Sequence, residues 1–446
     1  MEILLTAAYT ALFIFIICKM DFFKAEGLSK QAICGIFLLK ILAGVALWAV
    51  YTFYYTDRST ADIYKYFDDS LVIYNALWAA PLDYLKILTG IGNTGQGFDG
   101  YYSEMHYWAR KIDSSIYNDS HTIIRFNAFV RLFSLGYYNV HTVVICFLSL
   151  TGLMAIYKTF APSLPFKKNE LIFAVFFLPS VLFWGSGVLK EGLIFFALGL
   201  LIYHSVKLFS GRAVIICLGS AFLLAFSKFY VWIAILPGLI FLIWVLKTNT
   251  DKLWLKFTLI IVAVALTGLN IDKFTGIQNP LVTLSQKQYE FNQLAYGNLT
   301  DANNDAIPVA GSLIHIPKLE PTLTSFILNA PAALKNTFLR PYFTEMNSPM
   351  VLLAGLETFM ILFWILACIL FTQPLARIKW EYVLFCLSFV IIQFLVIGET
   401  TPVLGAIARY KTIALPFLVI ASLYIIDREK VLKRLAFLNK IFFRKK

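Results

Sequence analysis

Apolar runs of roughly 17 to 24 residues recur along the whole chain. An α-helix rises about 1.5 Å per residue and the hydrocarbon core of a bilayer is about 30 Å thick, so each run is near the length that crosses it. Backbone amides have no water to pair with in hydrocarbon, which leaves the helix as the form such a run takes. Composition agrees: 59% of residues are hydrophobic and 14% charged, against about 45–50% and about 25% in soluble domains. The expected fold class is all-α, a polytopic transmembrane helical bundle of about 11 helices. The spans read as 2–18, 32–54, 139–157, 170–186, 191–207, 212–227, 229–246, 254–270, 350–371, 380–397 and 409–426. Residues 1–446 read as a single integral membrane domain.

Lysines and arginines orient the spans. Alternate short connections hold Lys19, Lys24 and Lys30, then Lys158, Lys167 and Lys168, Lys207 and Arg212, Lys247, Lys252 and Lys256, and Arg377 and Lys379. Short basic loops face the cytoplasm, so the N-terminus is expected outside and the C-terminus inside a plasma (bacterial inner) membrane. The basic tail 428–446, with Leu432, Leu435, Phe437, Leu438, Ile441 and Phe442, has the pattern of a helix lying on anionic lipid. This accounts for much of the net charge of +12. No basic soluble domain is present to bind nucleic acid. The six cysteines fall in or beside apolar runs, with no disulfide framework and no metal pair. The first apolar run lacks a small-residue cleavage site and reads as a retained helix.

Two large extracytoplasmic loops follow from this topology, 55–138 and 271–349. The first opens with Asp57, Asp62, Asp68 and Asp69 just beyond an apolar run. Asp62, Tyr66 and Asp69 are spaced i, i+4, i+7 and share one face of a helix. A carboxylate there suits acid–base chemistry on a membrane-borne substrate. Ser59 to Asp62 also has capping-box spacing, which would make Asp62 a helix-end residue only. Further on, Leu71–Trp78 and Leu82–Leu88 have the one-sided apolar spacing of amphipathic juxtamembrane helices. Arg125, Asn127 and Arg131 precede the next span, placed to reach a phosphate at headgroup depth.

Basic residues collect on the same side. Lys190 and Glu191 open a helix after the hairpin Leu178 to Gly192, where charge at membrane depth marks function by default and snorkelling is the plainer account. Arg340, before a proline and five residues ahead of Glu345, suits phosphate capture or a local salt bridge. Arg409 and Lys411 are expected at the N-terminus of the last helix, where they oppose the macrodipole and imply a bound anion, with snorkelling the competing account. Lys40, near the middle of a span, calls for a partner; Glu357 is a candidate partner for a buried base. His204 reads as a core histidine. No metal-ligand spacing, nucleotide loop or nucleophile elbow occurs, so no cofactor is expected and a divalent metal is not indicated.

These residues resemble a known arrangement. Thr60-Ala-Asp-Ile-Tyr-Lys-Tyr-Phe, Ser186-Gly-Val-Leu-Lys-Glu191 and Ala408-Arg-Tyr-Lys-Thr-Ile-Ala-Leu-Pro416 are similar to motifs of class C membrane glycosyltransferases and the related exopolysaccharide or O-antigen polymerases. The resemblance implies a catalytic aspartate in the first outer loop, which Asp62 matches. It also implies transfer of a sugar or oligosaccharide from a polyprenyl-phosphate lipid to a saccharide acceptor. Asp62 and Asp69 are then the expected catalytic acids. Lys190, Glu191, Arg340, Arg409, Lys411, Arg125 and Tyr66 are the expected substrate or phosphate ligands. An extra leading helix departs from the family pattern. The alternatives are a transporter or flippase of lipid-linked saccharides, which calls for midplane polar sites and internal repeats, and a non-catalytic scaffold of a surface-assembly complex that binds partners through its large outer loops, for which deletion of the tip Asn298–Asp305 would abolish function.

Overall fold

Helix length and apolarity divide the chain as the sequence suggests, with differences that have local causes. The computed structural model describes residues 1–58, 61–109, 117–207, 210–276, 278–297 and 309–434. Ser59 and Thr60, the tip Asn298–Asp305 and the tail beyond 434 therefore lie outside the described residues. The described residues are all-α, without a strand and with three isolated bridges. Six helices among them are long and apolar enough to cross a membrane: Glu2–Lys19, Lys30–Tyr54, Tyr138–Ser163, Phe229–Lys247, Pro349–Leu370 and Trp380–Thr400. A seventh arises if Leu404–Lys411 and Leu415–Ile425, bent by 57°, form one broken span.

Four of the eleven expected spans do not appear in that set. Segment 170–186 is interrupted by a π turn at Phe173–Phe177 and by extended Leu178, after which Pro179 starts a new short helix. Proline has no N–H to continue the ladder. The helices covering 191–207, 212–227 and 254–270 have 16, 17 and 17 residues, about 24–26 Å of rise.

Helices of eight residues or more are numbered here in order. The chain packs as two compact units, Met1–Ile233 and Ala234–Lys446, where the sequence reading takes one domain. The first unit holds α1 (Glu2–Lys19), α2 (Lys30–Ala49), α3 (Asp62–Ala79), α4 (Pro81–Thr89), α5 (Ser120–Ser134), α6 (Tyr138–Phe160), α7 (Lys190–Ser205) and α8 (Gly211–Ser227). Its centre is α6, buried along most of its length. A Cβ on Gly152 would lie 2.0 Å from the carbonyl oxygen of Phe195, and one on Gly199 would lie 2.0 Å from that of Gly152. The α6 and α7 backbones thus touch through two glycines, the small-residue contact that packs helices in lipid.

Polar contacts align the helices of this unit. The Glu2 carboxylate accepts from the Asn139 side-chain amide at 2.9 Å, so α1 and α6 start together and run parallel. At their other ends Lys158 donates to the Phe22 carbonyl at 2.8 Å, Tyr157 to the Glu26 carbonyl at 2.7 Å, and Lys168 pairs with Glu26 at 2.6 Å. The basic connections after α1 and after α6 therefore meet. Asp62, the first residue of α3, follows the far end of α2.

Helix α9 (Phe229–Lys247) carries the chain across the unit boundary. The second unit contains α10 (Leu253–Leu269), α11 (Pro280–Ala295), α12 (Leu323–Leu339), α13 (Pro349–Leu370), α14 (Trp380–Thr400), α15 (Leu404–Lys411) and α16 (Leu415–Ile425). Helix α14 packs against α12 and α16, and Gly398 lets the α12 backbone approach, since a Cβ there would lie 2.2 Å from the Ala333 oxygen. The ends of α13 and α16 meet where Asp427 N–H donates to the Phe371 carbonyl at 2.7 Å, and Lys430 donates to the Thr372 carbonyl at 2.9 Å.

Candidate functional site

The first turn of α3 begins at Asp62, with Ala61 as N-cap and no side-chain cap. A capping box would put Asp62 two residues further into the helix, so that register is not adopted. An acid in a first turn is favoured by the macrodipole. Each of three acids on α3 has a different partner. Asp68 is held by Arg58 through two bonds of 2.9 and 2.6 Å, with the guanidinium 3.9 Å from the Tyr64 ring centre. Asp69 is 1% exposed and accepts the backbone N–H groups of His106 and Tyr107, each at 2.7 Å. Burial raises its carboxyl above the ordinary carboxylate range, against the pull of those two N–H bonds. Asp62 accepts the phenol of Tyr107 at 2.6 Å.

Asp69 was expected to be catalytic. Both its oxygens hold backbone, so in this structure it positions the segment around Tyr107 instead. Tyr66, on the same α3 face, places its ring 5.4 Å from that of Tyr107, and Lys65 lies 4.4 Å from the Tyr107 ring centre.

Lys190 reaches this cluster from the opposite side. It is the first residue of α7 and is 6% exposed. Its ammonium donates to Asp119 at 2.7 Å, lies 3.4 Å from the Ser120 hydroxyl, and sits 5.3 Å from the Tyr66 ring centre. Asp119 offsets the cost of placing a cation at a helix N-terminus. The hairpin before Lys190 is seated on α2: a Cβ on Gly187 would lie 2.0 Å from Leu47, and one on Gly44 would lie 2.5 Å from the Ser186 oxygen. Lys40, which the sequence leaves without a partner, donates to the Gly185 carbonyl at 3.1 Å. Glu191 follows Lys190 into the core at 1% exposure.

The α5 residues expected near phosphate are committed elsewhere. Arg125 donates to the Ile87 carbonyl at 2.8 Å, lies 5.1 Å from the Trp108 ring and covers Gly90, whose φ of 78° favours glycine. Arg131 is buried; it donates to Ser70 at 2.8 Å and to the Phe67 carbonyl at 2.6 Å, and burial lowers its guanidinium to about 10. Asn127 bonds His141 at 2.8 Å. These three side chains tie α5 to α4, α3 and α6.

In the second unit Arg340 pairs with Glu345 at 3.4 Å, the plainer of its two expected roles. Arg409 and Lys411 require a correction. They occupy the last turn of α15, before the break at Thr412–Ala414 and the restart at Leu415. Cations at a helix C-terminus are favoured by the macrodipole, so the case for a bound anion from helix position falls away. Pro416 accounts for the break: it has no N–H for the Thr412 carbonyl four residues back and its ring would clash with it, so α15 stops at Lys411 and α16 restarts with the proline in its first turn. Lys411 donates to Thr358 at 2.9 Å and lies 3.3 Å from the Arg340 carbonyl, capping the end of α12. Glu357 is within electrostatic reach of Lys411.

The structure thus brings Asp62, Tyr66 and Lys190 together in the first unit, and Arg340 with Lys411 in the second. Tyr107 and Asp119 complete the first cluster and were not anticipated. Asp119 carries a sequence signal, an Asp-Ser pair ahead of a periodic run. Tyr107 carries none, because it lies outside any helix. No family model matches this chain, and neither the curated proteins nor the solved structures contain a match. The fold defines its class: among the described residues it is all-helical, with six, or with the bent pair seven, candidate membrane spans.

Proposed function

We propose that this chain is a membrane glycosyltransferase or polysaccharide polymerase that takes a sugar or oligosaccharide from a polyprenyl-phosphate lipid at the extracytoplasmic face. The observation that carries the reading is the first cluster: a carboxylate at a helix start, oriented by a phenol at 2.6 Å, with a buried lysine on the neighbouring tyrosine ring. In this reading an acceptor hydroxyl attacks the anomeric carbon. Its proton passes to Asp62, and the bond from that carbon to the phosphate oxygen breaks, releasing the lipid phosphate. Lys190 lends positive charge to the reacting region. Asp119 already neutralises part of that charge, so Lys190 acts more as an orienting group than as a bare cation. Tyr66 and Tyr107 form the aromatic link between Asp62 and Lys190. Arg125, Arg340 and Lys411 already hold a carbonyl or a carboxylate, so the reading rests on Asp62, Tyr66 and Lys190 of the first unit.

The same reading sets eleven spans in a bacterial inner membrane, with the N-terminus outside. The meeting of the basic connections after α1 and α6, opposite Asp62, supports that orientation. Purified protein in liposomes, supplied with polyprenyl-phosphate-linked saccharides and candidate acceptors, tests the function. Asp62→Asn should lose about 10²–10⁴-fold in transfer rate; undiminished transfer would count against the assignment. One observation favours the transporter alternative, namely Lys40 fully buried inside α2 with a carbonyl acceptor. Movement of the lipid-linked saccharide between leaflets without sugar transfer, abolished by Lys40→Met, would decide for it.

A further inference from the structure

We infer that Tyr107 is the positioning residue for the Asp62 carboxylate, and that Asp69 sets Tyr107. The inference rests on Asp62 being the reacting group, but its geometry stands by itself. Two acids seven residues apart on α3 grip one residue from both sides. Asp69 takes the Tyr107 backbone N–H at 2.7 Å, and Asp62 takes its phenol at 2.6 Å. Seven residues of helix span about 10.5 Å, so Tyr107 lies along two turns of α3 with its backbone fixed at one end and its hydroxyl delivered at the other.

The segment is held from the far side as well. The Asn118 side-chain amide donates to the carbonyls of Tyr107 and Trp108 at 2.7 and 3.0 Å, and the His121 ring bonds the Trp108 carbonyl at 2.8 Å. The Trp108 ring stacks between Tyr102 and His121, with centroids at 4.9 and 4.0 Å. The clamps fix the Tyr107 backbone, and the bond to Asp62 selects the rotamer that its ring adopts. The hydroxyl meets the carboxylate that opens α3, at 2.6 Å. A phenol donating to a carboxylate favours the ionised form, which is the form a general base needs. Lys65 and Tyr66 flank the pair from α3, Arg58 and Asp68 pair with each other, and Lys190 with Asp119 approach through Tyr66.

The test uses dicyclohexylcarbodiimide on the full chain in liposomes. The reagent takes the acid proton of a carboxyl group, the carboxylate then adds to its central carbon, and rearrangement leaves a stable N-acylurea. Labelling of the Asp62 peptide is read by mass spectrometry across a pH series. Tyr107→Phe should move the midpoint of Asp62 labelling to higher pH, with labelling above the wild-type midpoint raised on the order of tenfold, the scale of one charge-assisted hydrogen bond. Asp69→Asn should move it the same way, and the double variant no further, because both act through one contact. If Asp69→Asn does not fold, the conservative Tyr107→Phe decides alone. An unmoved midpoint overturns the inference, and so does a rise equal at every pH, which reports access only. A moved midpoint with transfer indifferent to Asp62→Asn would keep the positioning and sink the transferase. Transfer dependent on Asp62 with an unmoved midpoint would do the reverse.

Discussion

The glycine seam between α6 and α7 gives the sharpest prediction. A Cβ placed on Gly199 would lie 2.0 Å from the Gly152 oxygen, where ordinary contact begins at 3.4 Å. The obstacle is helix backbone, not the end of a flexible side chain, so Gly199→Ala must force the helices apart by the difference, 1.4 Å. Overpacking of this kind costs about 1–3 kcal/mol. For a unit of this size that corresponds to a loss of about 2–12 °C in Tm. Gly219→Ala on α8 is the matched control. Nothing lies within 4 Å of its Cβ position, and the change should be neutral or slightly stabilising. Thermal release of the buried thiols Cys146 and Cys217 to a thiol-reactive dye, with Cys18 and Cys34 blocked beforehand and the labelled Cys146 and Cys217 peptides resolved from those of Cys368 and Cys386 by mass spectrometry, reads the first unit directly. Equal Tm for the Gly199 and Gly219 variants would refute the backbone contact and the packing built on it.

Two further predictions test the assignments around it. Lys190 and Asp119 should be coupled: Asp119→Leu alone should cost about 1–3 kcal/mol by leaving a buried ammonium short of its acceptor, and Lys190→Met with Asp119→Leu should recover part of the loss. Additive Tm changes across that cycle would show that the 2.7 Å pair contributes nothing. Cys18 and Cys34, with sulfurs 3.8 Å apart at the end of α1 and the start of α2, should close to a disulfide under copper phenanthroline while buried Cys146 and Cys386 stay reduced. Mass spectrometry of the joined peptides checks this, and failure to join would displace α1 from α2.

The legible parts of this fold are those governed by periodicity along one helix. Asp62, Tyr66 and Asp69 read as one face from their spacing alone, and α3 presents them that way. What each acid does was not legible, because it depends on a segment 38 to 45 residues further on with no periodic pattern. Lys40 remained unexplained for a related reason: its acceptor is a backbone carbonyl in a turn, and sequence carries no mark of which carbonyls face inward. Arg409 and Lys411 were misplaced because one apolar run hid a break. Pro416 was visible, yet its consequence, a helix ending just before it, reverses the electrostatic sense of both cations. The glycines of the hairpin were legible as a turn. Gly152 and Gly199 were not legible as a seam, since contact between helices distant in sequence leaves no trace in either alone.

All members of the first cluster, from Arg58 to Lys190, lie within Met1–Ile233. A ribosome adds about 5–20 residues per second and N-terminal units fold first. The 213 residues of the second unit, 446 less 233, take about 10–40 s to add. During that interval the acid, the phenol and the lysine are already made and free to assemble. A nascent chain stalled at the boundary would carry the whole cluster before the second half exists.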